Sequence, residues 1–460
     1  MKQLARRLLA EIRLPERAKA QRAVDHRGLP ARASTLPALR DALIDWLCAA
    51  QDHSSTNDGG VARDYSLLTG WNASYPETTG YIVPTMLRAA ESLGRDELRE
   101  RAVRMLDWLA AIQFPDGGIQ GSVVNATPRV PVTFNTGQVL IGLSIAARSF
   151  PQYEAPMHRA AVWLRDSLDS DGCWRQFPTP FAARGEKAYE THVAWGLYEA
   201  ARTSGDTSYA AAADANVHWA IGKQERSGWF ADNCLDQPAA PLTHTIGYLL
   251  RGLVESLRYR HDAAVLDAAL RCARPLAAAV REDGFLAGRL NRDWTGTVPW
   301  VCLTGSVQIA TGLRLLDEHL GTREFNSAAA RLQSYVFRSI SVEGPAETRG
   351  AVRGSFPVDG DYGRWQYLNW AAKFSLDAVL DEIERPLHGS ASTRSGTRSG
   401  GRMDCRPRNR SADHQVAEHL FRREATLAGR LRHRLRGVSL SRIRCAIDKL
   451  RRWLRDPFSA

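Results

Sequence analysis

The chain has 460 residues, of which 44% are hydrophobic, so it can form two or three average domains or one large one with a substantial core. Its seven cysteines are scattered and odd in number, which argues against a disulfide framework and favours a reducing compartment. The net charge of +11 is uneven: residues 387–460 carry 18 basic and 6 acidic residues, a net of +12, and the rest of the chain nets −1. The basic balance therefore does not point to nucleic acid.

Residues 1–35 are predicted to form a basic N-terminal helix and linker. They contain no apolar run of signal-peptide length. No other stretch reaches the roughly 18 to 20 apolar residues of a membrane-spanning helix. A cytoplasmic location is therefore predicted, with a peripheral position at the inner membrane as an alternative.

Six related segments recur between residues 36 and 386. Each contains a Thr or Asn, called here the anchor, followed by an apolar stretch rich in small residues. The anchors are spaced by 57, 55, 52, 61 and 65 residues and are Thr79, Thr136, Thr191, Thr243, Thr304 and Asn369. A Thr or Asn side chain can accept a hydrogen bond from a free N–H of the first helical turn, so each anchor predicts the start of an inner helix.

A Gly-rich turn and a second amphipathic stretch precede each anchor. The turns include PDGGIQGS and SDGCWRQF, and stretches such as LRERAVRMLDWLAAIQ have apolar residues at helical spacing. The predicted unit is an outer helix, a Gly-rich turn and an inner helix. Six units closed into a circle bury faces that a single hairpin would expose, so residues 36–386 are predicted to form an all-α (α/α)6 toroid.

Two further segments follow the predicted ring. Residues 387–412 are rich in Ser, Gly and Arg and are predicted to be a disordered linker. Residues 413–460 are predicted to form a basic amphipathic helical tail, whose expected contact is an anionic membrane surface or an acidic partner. Few aromatic residues lie among the basic ones, so nucleic acid is not the expected partner.

The turns QFPDGGIQGS, DSLDSDGCW and KQERSGWF resemble degenerate forms of the Q-x-x-D-G-x-W repeats of terpenoid cyclases and protein prenyltransferases. The YPETTGY segment and the six-hairpin layout are similar to VpsJ-like polysaccharide biosynthesis proteins. They are also similar to six-hairpin glycosidases, uronate lyases and sugar epimerases. The resemblance covers about residues 40–385 and implies the ring, but these families share no single chemistry.

Inner helices of a ring point their N-termini to one rim, so polar side chains near the anchors are expected to converge there. The candidates for acid or base catalysis are Glu77, Glu190, His192, His244, Asp359 and Asp361. The candidates for binding a substrate are Tyr75, Asn135, Gln138, Tyr248, Arg292, Trp294, Trp365, Asn369 and Trp370. Aromatic faces beside carboxylates and amides suit a carbohydrate.

These candidates allow three reactions on a glycan. Glycoside hydrolysis needs two carboxylates across the scissile bond. His192 and His244, in similar positions of adjacent hairpins, would suit an epimerase as acid and base. The same histidines with Tyr248 and Asn135 would suit a lyase, in which Arg292 neutralises a uronate.

The sequence therefore predicts an enzyme that cleaves or modifies an oligo- or polysaccharide, or a sugar intermediate, in bacterial exopolysaccharide metabolism. An anionic glycan is one alternative for its substrate. A terpenoid cyclase or prenyltransferase-like enzyme, and a non-catalytic glycan-binding or scaffold protein of a polysaccharide synthesis complex, are the alternatives for its function. No cofactor or metal is predicted, because no phosphate loop, dinucleotide fingerprint or His-Glu-x-x-His motif occurs.

Overall fold

The computed structural model describes residues 14–182 and 184–385. The predictions for residues 387–412 and 413–460 lie outside these ranges. In chain order the α-helices are α1 (Glu16–Asp25), α2 (Leu36–Asp52), α3 (Pro76–Leu93), α4 (Asp96–Ile112), α5 (Thr133–Ala147), α6 (Glu154–Asp166), α7 (Thr191–Ser204), α8 (Thr207–Ile221), α9 (Thr243–Tyr259), α10 (Ala263–Ala278), α11 (Leu303–Leu320), α12 (Asn326–Arg338) and α13 (Asn369–Glu384). The strands are β1 (Asp64–Ser66), β2 (Gly70–Trp71), β3 (Val301–Cys302), β4 (Ser355–Phe356) and β5 (Gln366–Leu368).

The odd-numbered helices α3 to α13 form a closed inner ring. Each packs on the next, and α13 packs on α3. Small residues allow this close approach, since a Cβ added at Gly142 of α5 would lie 2.1 Å from the carbonyl oxygen of Gly80 in α3. The even-numbered helices α2 to α12 surround this ring, and the predicted all-α (α/α)6 toroid is confirmed.

The packed hairpins differ from the predicted unit. Each inner helix packs mainly on the outer helix that follows it, to which it is joined by a turn of two to six residues. The Gly-rich segments, of 20 to 30 residues, instead lead from an outer helix to the next inner helix. Helix α13 is the last helix in the described ranges, and it packs on the first outer helix, α2.

The Gly-rich turns connect neighbouring outer helices. Gly117 has a positive φ, and a Cβ there would lie 2.2 Å from the carbonyl oxygen of Arg159 in α6. Gln113 donates from Nε2 to its own turn at Gly117 and to Pro156 of α6. Gln224 makes the equivalent pair of hydrogen bonds two turns further round the ring. The Q-x-x-D-G pattern thus links the turn of one repeat to the outer helix of the next repeat.

The anchor threonines have a different role from the predicted helix cap. Neither α3 nor α5 has a side-chain cap at its N-terminus. The Oγ1 atom of Thr79 instead accepts from the backbone N–H of Val61 at 3.1 Å, and that of Thr136 accepts from Ile119 at 2.9 Å. These two anchors therefore hold their Gly-rich segments against the first turn of the inner helix that each segment enters.

The N-terminal helix α1 lies against the junction between the first and last Gly-rich segments. Asp25 is buried and pairs with Arg353 at 2.9 Å, while its Oδ2 accepts from the N–H of Val358. Strand β1 of the first segment pairs antiparallel with β5 of the last. No helix in the described ranges has the length and apolar character needed to cross a membrane.

Gly350 tests ring closure, since it is the turn glycine that contacts the first outer helix. Its φ is +76°, and an added Cβ would lie 1.9 Å from the carbonyl oxygen of Ala42 in α2. We expect Gly350→Ala to lower the free energy of unfolding by about 2 to 5 kcal/mol, measured by urea titration. Gly344→Ala is the matched control, because its φ is +98° but its added Cβ meets nothing within 4 Å. Equal losses in the two variants would contradict the closure role.

Candidate active site

A cavity of about 210 Å³ opens at the rim where the inner helices begin. Half of the side chains that line it are aromatic, and most of the others are polar. The lining residues are Arg63, Tyr75, Glu77, Ser122, Phe134, Thr179, Phe181, Tyr189, Leu235, His244, Thr245, Tyr248, Tyr362 and Trp370.

Glu77 is the one carboxylic acid among the described residues that line the cavity. It stands in the first turn of α3, where Pro76 occupies a position whose missing N–H costs no hydrogen bond. The Tyr75 hydroxyl donates to its Oε2 at 2.6 Å. Burial raises the pKa of Glu77 to about 7, although the Tyr75 hydrogen bond and the Arg63 charge oppose this shift.

Arg63 is the one Lys or Arg in the described lining. Its Nη1 pairs with the buried carboxylate of Asp64 at 2.9 Å, and Asn72 donates to the same carboxylate. The guanidinium lies 5.8 Å from the ring centre of Trp370, within the range of a cation–π contact. Arg63 belongs to the first Gly-rich segment and Trp370 to the last inner helix, so this wall is assembled across the ring junction.

His244, in the first turn of α9, is the histidine on the cavity wall. Its Nδ1 lies 2.8 Å from Oε1 of Gln308, and an amide oxygen can only accept, so Nδ1 carries the proton. Nε2 is then a lone-pair acceptor, and no described residue hydrogen-bonds to it. Burial lowers the pKa of His244 to about 4, against the opposing effect of Gln308, so the ring is neutral at pH 7.

Tyrosine rings form the floor and one side of the cavity. The Tyr248 ring centre lies 4.3 Å from that of His244, and its hydroxyl lies 3.4 Å from the hydroxyl of Tyr81. The Tyr362 hydroxyl accepts from Nε1 of Trp370 at 2.9 Å. Burial raises the pKa of both Tyr248 and Tyr362 well above the usual value, so these rings stay neutral and serve as surfaces or hydrogen-bond donors.

The structure brings together five of the fifteen predicted site residues at this cavity: Tyr75, Glu77, His244, Tyr248 and Trp370. Four others lie buried in the wall behind it: Asn135, Gln138, Glu190 and His192. His192 pairs with Gln138 through Nδ1 and lies behind the Tyr248 ring, at 4.5 Å between ring centres. The two histidines therefore do not face one cavity together.

A shift of one residue explains the placement of Asn135 and Glu190. Phe134, Tyr189 and Glu77 each lie two residues before an anchor threonine, and all three line the cavity. Asn135 and Glu190 lie one residue before an anchor. One residue rotates a side chain by about 100° around a helix, which turns both side chains into the wall.

The other six predicted residues lie away from the cavity. Asp359 contacts His26 at 3.1 Å, Arg292 forms an ion pair with Glu225, and Asp361 is exposed. Trp294 and Trp365 have positive φ. Trp294 packs on Trp229 of the preceding Gly-rich segment, with 5.2 Å between ring centres, and Trp365 belongs to the hydrophobic core. Asn369 donates from Nδ2 to the carbonyl oxygen of Ala62 across the ring junction. Most of these side chains thus make structural contacts outside the cavity.

Nine lining residues were absent from the predicted set: Arg63, Ser122, Phe134, Thr179, Phe181, Tyr189, Leu235, Thr245 and Tyr362. Phe134 and Tyr189 have a sequence signal, because they share the position of Glu77 relative to the anchor. Arg63 and Tyr362 lie in the Gly-rich segments, which themselves were recognised. No periodic pattern marks Ser122, Thr179 or Leu235, since loop geometry alone brings them to the rim.

No protein-family model and no curated protein sequence matches the chain. Solved structures do match. An unsaturated glucuronyl hydrolase specific for heparin has a TM-score of 0.60 and 16% identity, over 76% of this chain and 97% of that one. The cellobiose 2-epimerase of Bacillus thermoamylovorans has a TM-score of 0.60 and 12% identity, over 75% and 98%. A D-mannose isomerase has a TM-score of 0.61 and 11% identity, over 78% and 100%.

These comparisons show that the chain has an (α/α)6 toroid fold, as its sequence predicts. The similarity to VpsJ-like proteins and to terpenoid cyclases stays a prediction. In the described ranges, no group of three or more His, Cys, Asp or Glu side chains is arranged to hold a metal ion.

Glu190 offers a test of burial as the cause of the raised pKa values. Desolvation raises its pKa to about 8, opposed by Lys187, and its Oε2 has no hydrogen-bond partner in the described structure. A raised carboxyl pKa stabilises the fold below the unfolded value of 4.5, and this stability is lost as pH rises through about 8. Between pH 5 and pH 9 we therefore expect Glu190→Gln to gain about 2 to 4 kcal/mol relative to the natural protein, in urea unfolding.

Glu186→Gln is the control for this measurement. Lys223 and Arg175 lower the pKa of Glu186, so its contribution is already complete at pH 5. Its difference from the natural protein should not grow between pH 5 and pH 9. A Glu190→Gln curve parallel to that of the natural protein would show that Glu190 is ionised and solvated in the folded state.

Proposed function

We propose that the protein is a sugar-modifying enzyme in which Glu77 and His244 exchange protons with one sugar ring bound in the cavity. The observation that carries this proposal is the pairing, on one small aromatic cavity, of a carboxylic acid of pKa about 7 with a histidine of pKa about 4. Between about pH 4 and pH 7 the carboxylic acid is a proton donor and the histidine is an unprotonated base. Groups whose pKa values are separated in this way can act as acid and base in one reaction.

The geometry favours proton transfer at a sugar carbon, as in an epimerase or isomerase. The bound ring first opens to its free carbonyl form. Nε2 of His244 then accepts a proton from the carbon beside the carbonyl group, while Glu77 protonates the carbonyl oxygen. Protonated His244 then returns a proton to a carbon of the enediol, and an enediol hydroxyl group returns a proton to Glu77, so both side chains regain their starting states. Protonation of the neighbouring carbon gives an isomer, and protonation of the opposite face of the same carbon gives an epimer. Solved structures of similar fold include a cellobiose 2-epimerase and a D-mannose isomerase, which agrees with this class of reaction.

Hydrolysis by two carboxylates has weaker support. That mechanism places a second Asp or Glu across the scissile bond, at about 5 to 9.5 Å from the first. The described lining offers Glu77 alone. Glu190, Asp359 and Asp361, the other predicted acids, lie in the wall or outside the cavity.

The charge of the cavity favours a neutral sugar over an anionic one. Arg63 is already paired with Asp64, and His244 is neutral at pH 7. Deprotonation of Glu77 would add a negative charge, which repels an anionic group. Arg63 therefore serves a neutral ring best, as a donor to its hydroxyl groups.

Deuterium incorporation tests the proposed proton transfer. We expect proton NMR of hexoses and their disaccharides in D2O to show an epimer or isomer with deuterium at the carbon beside the carbonyl. Glu77→Gln should lower kcat by about 100-fold or more, because an amide cannot supply the proton. Glu225→Gln, a rim carboxylate paired with Arg292 outside the cavity, is the control that should keep full activity.

Three results would change the proposal. Glycosidic cleavage without carbon-bound deuterium would replace proton transfer by hydrolysis. Turnover of uronic acids in preference to neutral sugars would restore the anionic alternative. Sugar binding to both the natural protein and Glu77→Gln, without turnover by either, would favour the glycan-binding or scaffold protein.

The pH dependence of kcat/KM follows from the two pKa values. Protonation of His244 removes the base below about pH 4, and ionisation of Glu77 removes the acid above about pH 7. We expect a plateau between these limits, measured from pH 3 to pH 9 with initial rates. A rate that stays level from pH 6 to pH 9 would exclude Glu77 as the acid.

A terpenoid cyclase or prenyltransferase-like enzyme is the second candidate. Seven aromatic side chains on a cavity without paired carboxylates would suit a hydrocarbon substrate. A hydrocarbon, however, would leave Arg63, Glu77 and His244 without hydrogen-bond partners on burial. Turnover of an isoprenoid diphosphate with no turnover of sugars would reverse the ranking.

The cellular setting forms a separate part of the proposal. We place the enzyme in the cytoplasm because its cysteines are scattered and odd in number. We place it in bacterial exopolysaccharide metabolism on the resemblance of the YPETTGY segment and the six-hairpin layout. Adjacent glycosyltransferase and polymerase genes would support this placement. Adjacent isoprenoid genes would favour the second candidate.

A further inference from the structure

The cavity is smaller than a site for a whole oligosaccharide. Its volume of about 210 Å³ is below the roughly 300 to 1,000 Å³ of pockets that enclose drug-sized ligands. One sugar ring therefore fills it, and any ring attached to the first must lie outside the mouth.

Phe181 stands at this mouth. It lines the cavity, yet 56% of its surface is exposed. Among the large hydrophobic side chains that are exposed in the described ranges, it is the one aromatic residue. The hydroxyl-bearing side chain of Thr179, two residues earlier, also lines the cavity. An open apolar ring and a polar group thus lie together at the edge of the site.

The chain before and after Phe181 is held against the toroid by side-chain and backbone contacts. On one side Phe177 packs on Trp163, with 4.6 Å between ring centres, and its carbonyl oxygen accepts from the N–H of Thr133. On the other side Glu186 pairs with Arg175 and Lys223. The segment that carries Phe181 is therefore held in place on both sides.

We propose that Phe181 forms a second subsite, on which the next sugar ring of the substrate stacks. The substrate class is then a disaccharide, or the end of a longer neutral glycan, with its reacting ring in the cavity. An aromatic face beside a hydroxyl group suits a sugar ring, whose C–H face is apolar and whose edge is polar. This inference rests on the proposed function, because it assumes that a sugar ring occupies the cavity.

Isothermal titration and initial rates can separate this subsite from the cavity. The probes are free hexoses and their 1,4-linked homodisaccharides, with Glu77→Gln as the protein for binding and the natural protein for rates. We expect Phe181→Ala to raise Kd and KM for the disaccharide by roughly tenfold, and to raise the values for the hexose by a much smaller factor. Phe181→Tyr should restore the disaccharide values, since it keeps the ring.

Val162→Ala is the matched control, because Val162 is exposed on the outer helix α6 and does not line the cavity. It should change neither sugar's binding. Equal effects of Phe181→Ala on hexose and disaccharide, or no effect on either, would overturn the second subsite while the proposed function stands. Failure of every hexose and disaccharide to bind or react would overturn the proposed function and the subsite together.

Discussion

The contact between the last inner helix and the first outer helix is the constraint on which the site depends. Helix α13 packs on α2, and the buried pair of Asp25 and Arg353 joins α1 to the segment just before α13. The cavity has walls from both sides of this junction: Arg63 comes from the first Gly-rich segment, and Trp370 comes from α13. An open ring would separate them, so the binding surface and the closed fold form as one unit. Removing one member of such a buried ion pair would cost more than the pair itself contributes, because the other charge would remain buried.

Burial also determines the pKa values of the buried acids, because moving a charge out of water costs free energy. Glu77 and Glu190 are both buried at inner-helix starts, and both have a raised pKa. They differ in access: Glu77 meets the cavity and is hydrogen-bonded by Tyr75, whereas Glu190 is enclosed in the wall. The same physical effect therefore produces a candidate proton donor at one position and a destabilising carboxyl at the other. Position in the ring, more than residue type, separates the two.

Periodicity allowed the ring to be predicted, since six anchors at similar spacing mark six inner helices. The site was harder to predict from the sequence, because a shift of one residue along a helix decides whether a side chain lines the cavity or is buried behind it. The polar residues Asn135 and Glu190 are predicted for the site, whereas their apolar and aromatic neighbours Phe134 and Tyr189 line the cavity. Polar side chains of the last segments, such as Asp359, are predicted at the rim because their residue types suit catalysis. Their loops instead place them outside the cavity, where Asp359 contacts His26. Loop residues such as Thr179 and Phe181 follow no sequence pattern, because the loop conformation alone brings them to the cavity.

The pairing of α2 with α13 also orders events during synthesis. Helix α2 ends at Asp52, and its partner begins at Asn369. At roughly 5 to 20 residues per second, the ribosome needs tens of seconds to make the chain between them. Throughout that interval the apolar face of α2 has no permanent cover, and the nascent protein is an open arc of hairpins. The open arc is the state that chaperones would meet, and the protein acquires its cavity only when the arc becomes a circle.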